Sequence, residues 1–303
     1  MKRSRILTGT LLLATIGTLT ACSDSIGPGD SDGMARIRII NSVFVGDDPS
    51  TAAPVAIDYL IDSSSTLGQL DIPAHAIWSG ADGEEESRYR TIPDAIHSFV
   101  ARIAGDTTPN NSLYRNESML PYLPRQRLVG GMYYTIVVAG VIPSEGMIPA
   151  EAVIWYNQNV DDPFPGPSIN GVYQARFKVI NAAPFADASG EGTSLQFYVT
   201  PGATPPAGPI TAYRPMVTVG YRGLSPYGHV NAGTYTITVV APIQPPRCGR
   251  DGCPGAPGPI LIQQPVTFAS GEVRSFVIQS TAASDTPGPS NHIMVSLIDK
   301  RHQ

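Results

Sequence analysis

Two of the three cysteines, Cys248 and Cys253, stand close together in Pro245-Pro246-Arg247-Cys248-Gly249-Arg250-Asp251-Gly252-Cys253-Pro254-Gly255. Thiols so near could bridge, hold a metal or run redox chemistry. A metal site needs two more ligands, and no histidine stands near in sequence. The spacing is also wider than the Cys-x-x-Cys of redox sites. A local disulfide is the expected state, adding about 2 kcal/mol because its loop is short. The five histidines, His75, His97, His229, His292 and His302, show no His-x-x-x-His or Glu-flanked spacing, and His97 falls on an alternating strand, so structural or surface roles are expected. Asp82, Glu84, Glu85 and Glu86, and separately Asn157, Asn159, Asp161 and Asp162, could offer oxygens to calcium, but without the glycine and distal glutamate of an EF-hand loop they read as solvated loop charge. Trp78, Tyr122, Trp155, Tyr213 and Tyr221 could stack on a sugar if several faced outward together, whereas core and sheet-face packing is the commoner use. Neither a Gly-x-Ser-x-Gly elbow nor a phosphate-binding glycine loop occurs. No catalytic, metal or cofactor-binding residues and no cofactor are expected.

Cys22 belongs to a different chemistry. Lys2, Arg3 and Arg5 precede an uncharged run from Ile6 to Leu19, and Leu19-Thr20-Ala21-Cys22 follows. That is the order of an export signal ending in a lipobox. The apolar run is about fourteen residues, short of the roughly twenty that span a bilayer. The pattern resembles that of bacterial lipoproteins, which implies a diacylglyceryl group on the Cys22 sulfur and cleavage before it. Each buried methylene adds about 0.8 kcal/mol, so several acyl chains anchor a protein durably. Ser23 stands where an aspartate would favour inner-membrane retention, which makes the outer membrane of the bacterial cell envelope the expected location. Export also brings Cys248 and Cys253 to an oxidising compartment as an even pair. Removing residues 1–21 takes the 20 Lys and Arg down to 17 against 25 Asp and Glu, a net charge of −8, which argues against nucleic acid as a partner.

The elements that must position these residues are strands. Of 303 residues, 30 are Gly and 29 Pro and only 15% are charged, a composition of many short elements joined by turns. Residues 22–33 are polar and glycine-rich and read as a flexible tether with a reach of roughly 20 Å. Beyond it the chain repeats itself. Ala35-Arg36-Ile37-Arg38-Ile39-Ile40-Asn41 returns as Ala175-Arg176-Phe177-Lys178-Val179-Ile180-Asn181, a displacement of 140. Ile57–Ile61 parallels Leu195–Val199, and Ser87, Tyr89 and Ile92 parallel Ser225, Tyr227 and Val230, all displaced by 138. Leu128–Ala139 parallels Phe268–Gln279, and Ala152–Trp155 lines up with Ile293–Ser296 within a residue. The order is kept, so this is a tandem duplication of two self-sufficient units. Period-two alternation, with Ile37 and Ile39 on one face and Arg36 and Arg38 on the other, marks half-buried strands.

The Ala-Arg-x-Arg/Lys start, the turn Asn181-Ala182-Ala183-Pro184, Ser225-Pro226-Tyr227 and the strand Ala232-Gly233-Thr234-Tyr235-Thr236-Ile237-Thr238-Val239 together resemble the domain of unknown function 4397 family. The second copy is the closer match. The first has Asn41-Ser42-Val43-Phe44 for the turn and Asp94-Ala95-Ile96-His97 where Ala-Gly-Thr-Tyr would stand. The resemblance covers Ala35 to Asp299. It implies a secreted or envelope-attached β-domain often found in tandem and transfers no catalytic residues.

The expected fold is all-β: two tandem immunoglobulin-like (Greek-key) β-sandwiches of six or seven strands each, a closed barrel being the alternative. The expected organisation is 1–21 signal peptide, 22–33 tether, 34–160 repeat 1, 161–172 linker and 173–303 repeat 2. The expected function is a non-enzymatic envelope lipoprotein in a structural, adhesive or assembly role, attached to the membrane through Cys22 and meeting an envelope protein or polysaccharide. Carbohydrate or small-ligand binding is the second reading, and a hydrolase with an unrecognised site the third.

Overall fold

The computed structural model describes residues 33–46, 51–62, 64–75, 77–78, 89–105, 126–142, 152–157, 168–169, 172–186, 193–241, 258–282 and 288–300. Repeat 1 holds β1 (Met34–Val45), β2 (Ala53–Pro54), β3 (Ile57–Ile61), β4 (Ser64–Ile72), β5 (Ile77–Trp78) and β6 (Arg90–Pro93). It continues through β7 (Ile96–His97), β8 (Phe99–Ile103), β9 (Gln126–Arg127), β10 (Tyr133–Ile142) and β11 (Ala152–Asn157). A hairpin of β12 (Ser168–Ile169) and β13 (Val172–Tyr173) follows, within and just past the expected linker. Repeat 2 holds β14 (Ala175–Ala182), β15 (Leu195–Pro201), β16 (Val217–Val219), β17 (Gly228–Val230), β18 (Gly233–Val240), β19 (Ile260–Phe268), β20 (Val273–Ser280) and β21 (His292–Lys300). The protein is all-β, its only helical turns among the described residues being 3-10 turns at Ile210–Ala212 and Pro289–Asn291.

Each repeat is a sandwich of two sheets, and the duplication holds to the level of register. One sheet of repeat 2 runs β17-β14-β20-β21 and the other β16-β15-β18-β19, eight strands where six or seven were expected. Repeat 1 matches it with β6-β1-β10-β11 and β4-β3-β8, while β7 and β9 pair with each other in a separate two-stranded sheet. In both copies the first strand lies parallel to the last but one: Ile40 faces Val137 as Ile180 faces Val277. Val153 pairs with Val137 as Val295 pairs with Val277, one residue on from the match of Val153 with Met294 in the sequence. Each sandwich closes on its own apolar core. That of repeat 1 includes Ile37, Ile39, Tyr59, Phe99 and Ile136, and that of repeat 2 Phe177, Phe197, Phe268 and Phe276.

The far face of β1 departs from the half-buried expectation. Arg38 is wholly buried, and Ile40, Ser42 and Phe44 on that face are buried with it. Tyr89 and Thr135 of repeat 1 lie against Arg38, and the surface that covers Ile40, Ser42 and Phe44 is repeat 2. Ile40, Val137 and Ala139 form one cluster with Ile180, Ala182, Val277 and Leu297, while Phe44 meets Phe185 edge-on at 4.9 Å. Ser42 Oγ donates to the Ala182 carbonyl (2.7 Å) and Gln279 Nε2 to the Asn41 carbonyl (3.0 Å). Since Ile40 corresponds to Ile180 and Val137 to Val277, the same patch of each copy packs against its counterpart, the arrangement of a two-fold dimer. Five branched side chains buried there, at about 1.5 kcal/mol or more each, contribute on the order of 8 kcal/mol. The repeats therefore hold one another through a shared core as well as through the chain between them.

Candidate functional site

Several sequence candidates fall outside the described residues: Cys22, Cys248, Cys253, Asp82, Glu84, Glu85, Glu86, Tyr122, Asn159, Asp161, Asp162 and His302. Trp78 lies on β5, and Trp155 and Asn157 on β11, with their side chains outside the description. Tyr213 is 41% exposed in the loop before β16, with Met216 nearby at 40%. Tyr221, after β16, is half-buried under the Arg222 guanidinium at 5.0 Å, and burial raises its hydroxyl above the ordinary tyrosine range. Among the described residues no group of three His, Cys, Asp or Glu stands together as a metal site, and no helix is long and apolar enough to cross a membrane.

The buried asparagine that ends the repeated motif is spent on backbone in both copies. Asn41, fully buried at the end of the repeated motif, donates Nδ2 to the carbonyls of Val55 (2.7 Å) and Ile72 (3.0 Å) and accepts the Val43 N–H (3.0 Å). Asn181 donates to Thr193 (2.8 Å) and Val219 (3.3 Å) and accepts from Ala183 (3.2 Å). One amide thereby ties three segments in each copy, using donors and an acceptor that only Asn or Gln carries together. The motif basic residues lie against an aromatic ring: Arg38 Cζ is 4.5 Å from the centre of Tyr89, and Arg176 Cζ and Lys178 Nζ are 5.3 and 5.5 Å from Tyr227. This explains why Tyr89 and Tyr227 recur.

His97 replaces the tyrosine of the Ala-Gly-Thr-Tyr strand and makes the same bond. Tyr235 OH donates to the Asn231 carbonyl, four residues back, at 3.0 Å. His97 Nε2 lies 2.8 Å from the Pro93 carbonyl, also four back, while its Nδ1 meets Asp62 Oδ2 at 2.7 Å. Burial works against the Asp62 charge, yet the Ser98 N–H, the His97 ring and the Ser98 hydroxyl outweigh it and hold the carboxyl below its usual value. With both ring nitrogens engaged, His97 has no nitrogen left to take a proton from a nucleophile, so His97, Asp62 and Ser98 do not make a relay.

Ser280, His292 and Asn291 come nearer to one. Ser280 Oγ is 3.4 Å from His292 Nε2, and His292 Nδ1 is 3.1 Å from Asn291 Oδ1 and 2.9 Å from the Gly288 carbonyl. All three are buried, and Ser280 Oγ accepts the Phe185 N–H at 3.1 Å. A substrate carbonyl has no way to this hydroxyl. The trio fastens the turn that delivers Phe185 to the shared core. Sequence spacing offered no sign of it, because Ser280 and His292 face each other across the β20–β21 pair (register Ser280↔His292).

A second surface stands at the outer end of repeat 1, where residues 94–96 and 127–130 run side by side. Ile96 is 65% exposed and Val129 44%. Arg127, the register partner of Ile96, pairs with Asp94 across 3.8 Å. Gly33, the first described residue, lies in the same place. Its carbonyl accepts the Asp94 N–H (2.8 Å), and its backbone rests against Gly130 closely enough that a Cβ on Gly130 would approach to 3.3 Å. Beneath, Tyr134 OH accepts the Val129 N–H at 2.9 Å. In repeat 2 the matching N–H, of Ala269, goes to the Glu272 carboxylate, which also pairs with Arg274.

No protein-family model matches the chain, and no curated protein matches it in sequence. Among solved structures it is similar to the TIE protein of Bacillus anthracis, at 10% identity and TM-score 0.19 over 81% of this chain and 34% of that one. A second likeness is to family 41 carbohydrate-binding modules from streptococcal virulence factors described in alpha-glucan recognition, at 10% identity and TM-score 0.21 over 83% and 95%. A third is to a leucine-rich repeat protein of Bacteroides thetaiotaomicron, at 9% identity and TM-score 0.18 over 80% and 26%. The chain thus spans about a third of the first of these chains and about a quarter of the third. Weak neighbours of this kind include a carbohydrate-binding module, and at such TM-scores the function rests on the chain's own residues.

Proposed function

We propose that the chain is a bacterial envelope lipoprotein, lipidated at Cys22 and resident at the outer membrane, whose coupled sandwiches serve as a non-enzymatic structural, adhesive or assembly module. The observation that carries the reading is the order of Lys2, Arg3 and Arg5, the uncharged run to Leu19, and Leu19-Thr20-Ala21-Cys22, ahead of a rigid pair of β-sandwiches. The inward-facing Asn41, Asn181, His97 and His292 support it by holding backbone. The same proposal takes the two copies as modules of the domain of unknown function 4397 type and Cys248–Cys253 as a local disulfide.

Mass spectrometry of the mature N-terminus tests the anchor: a diacylated Cys22 is expected, and an unmodified terminus at another residue would sink it. Cys22→Ser should leave the melting profile unchanged while unprocessed precursor accumulates. Crosslinking in cells should recover an envelope protein or polysaccharide, and recovery of none, with turnover of a substrate by the purified protein, overturns the non-enzymatic role. A second reading, carbohydrate binding, is favoured by the exposure of Tyr213 beside Met216. Glycan-array binding by residues 23–303 that Tyr213→Ala removes would select it.

A further inference from the structure

We propose that the outer end of repeat 1 is a membrane-contact tip: Ile96 and Val129, beside Arg127, rest on the bilayer that carries the lipid on Cys22. The inference depends on the lipoprotein reading for the anchor and on the fold for the rest. Only eleven positions separate Cys22 from Gly33, and a polar, glycine-rich stretch of that length has a root-mean-square reach of roughly 20 Å. Gly33 is bonded to Asp94 and packed on Gly130. Whatever holds Cys22 therefore brings this end within a root-mean-square distance of roughly 20 Å of the membrane.

The duplication supplies an internal control. The same corner of repeat 2, with no anchor leading to it, carries Thr234 where repeat 1 has Ile96, Thr267 where it has Arg127 and Ala269 where it has Val129. There the cross-strand pair is a hydroxyl pair, Thr234 and Thr267 at 3.0 Å. The backbone is shared, so the fold does not require the apolar residues at Ile96 and Val129. Beneath the tip the Val129 N–H is met by a phenol in repeat 1 and its counterpart by a carboxylate in repeat 2, so the anchored corner is also the one without a buried acid at that bond. An apolar pair beside the Arg127–Asp94 ion pair suits the boundary between acyl chains and headgroups, where the exposed guanidinium can exchange the carboxylate at 3.8 Å for a lipid phosphate. Two such side chains are too few to bind a vesicle unaided, so the contact is expected only in the tethered protein.

The test places a reporter at matching corners. Ile96→Trp and, separately, Thr234→Trp are prepared in the lipidated protein and in residues 23–303 carrying a hexahistidine before Ser23. Both forms are held on phosphatidylethanolamine and phosphatidylglycerol vesicles with brominated acyl chains, the second through a nickel-chelating lipid. After subtraction of the native Trp78 and Trp155 signal, tryptophan at position 96 should lose about half its emission or more in both forms, and tryptophan at 234 should not. Position 96 no more quenched than 234 in the chelated form overturns the tip. Quenching at 96 in the chelated form together with an unmodified native N-terminus upholds the tip's affinity and overturns the lipoprotein reading alone.

Discussion

Repeats 1 and 2 fasten the same strand to the same carbonyl, four residues upstream, with different chemistry. Tyr235 in repeat 2 does it with a phenol hydroxyl, while His97 in repeat 1 does it with an imidazole braced by Asp62. The Val129 N–H and its counterpart at Ala269 show the same exchange of partner, phenol for carboxylate. Duplicated positions have kept the bond and let the group change. The recurrent Asn41 and Asn181, by contrast, have kept both. What distinguishes them is the number of bonds: two partners can be met by many side chains, but two carbonyls and an N–H at one buried point demand a primary amide.

The largest effect should come at those amides. Asn41→Ala and Asn181→Ala each strand three buried backbone groups, and each should cost about 3 to 5 kcal/mol in urea unfolding. A tolerated Asn41→Ala beside a damaging Asn181→Ala would break the equivalence of the copies. Next comes the shared core, where Phe44→Ala should cost about 3 kcal/mol, and a double-mutant cycle with Phe185→Ala should return a coupling of about 1 kcal/mol. Additive losses would mean that the two rings do not meet. Gly228 follows: a Cβ there would lie 2.6 Å from the Phe177 ring, whereas repeat 1 sets Arg90 against the smaller Ile37. Gly228→Ala should therefore lose about 1 to 3 kcal/mol, and Phe177→Ile in the same chain should recover part of it.

The smallest effects are those of pH, and they fall in two windows. Burial holds His75, His229 and His292 below the ordinary imidazole value, with Arg176 adding to the effect at His229. Unfolding lets them take up protons that the native state refuses, so stability should decline as pH falls below about 6.5. Asp62, held low in the native state, contributes stability in full above its unfolded value of about 3.9, and that contribution is lost as pH falls through the folded value. Giving repeat 1 the residues of repeat 2, with Asp62→Thr and His97→Tyr, should erase the lower window in thermal melts from pH 5 to 3 and leave the upper one. Persistence of both would assign the acid loss elsewhere.

Much of the fold was legible because repetition multiplies a weak signal. Displacements of 140 and 138 matched strands that pair in the same register, and the turn at Asn181-Ala182-Ala183-Pro184 sits where the buried amide works. The shared core was not legible, since alternation cannot tell water from a second protein surface. Arg36 and Arg38 suggested a wet face, but two residues on, the same face carries Ile40, Ser42 and Phe44, and the doubled Ile39-Ile40 was the available hint. The alternating strand around His97 points to a structural or surface role, and the geometry gives the structural one, while its partner Asp62, 35 residues away, has no local signature. The tip at Ile96 and Val129 becomes visible only once β7 and β9 bring distant segments together.

The parallel ladder between β1 and β10 also sets an order of events during synthesis. Strand β1 is the first part of the sandwich to be delivered, yet it belongs in the middle of its sheet, and its longest partner lies 97 residues further along, Arg36 opposite Tyr133. Hairpins such as β3 with β4 can close early, whereas this pairing must wait for nearly the whole repeat, and contacts that remote slow folding. Until β10 arrives, β1 offers one edge unpaired along its whole length, even after β2, β5 and β6 have met the other, together with the apolar run Val43-Phe44-Val45. The interval in which a chaperone would matter most is therefore fixed by topology: it opens when β1 emerges and shuts when β10 slides in beside it.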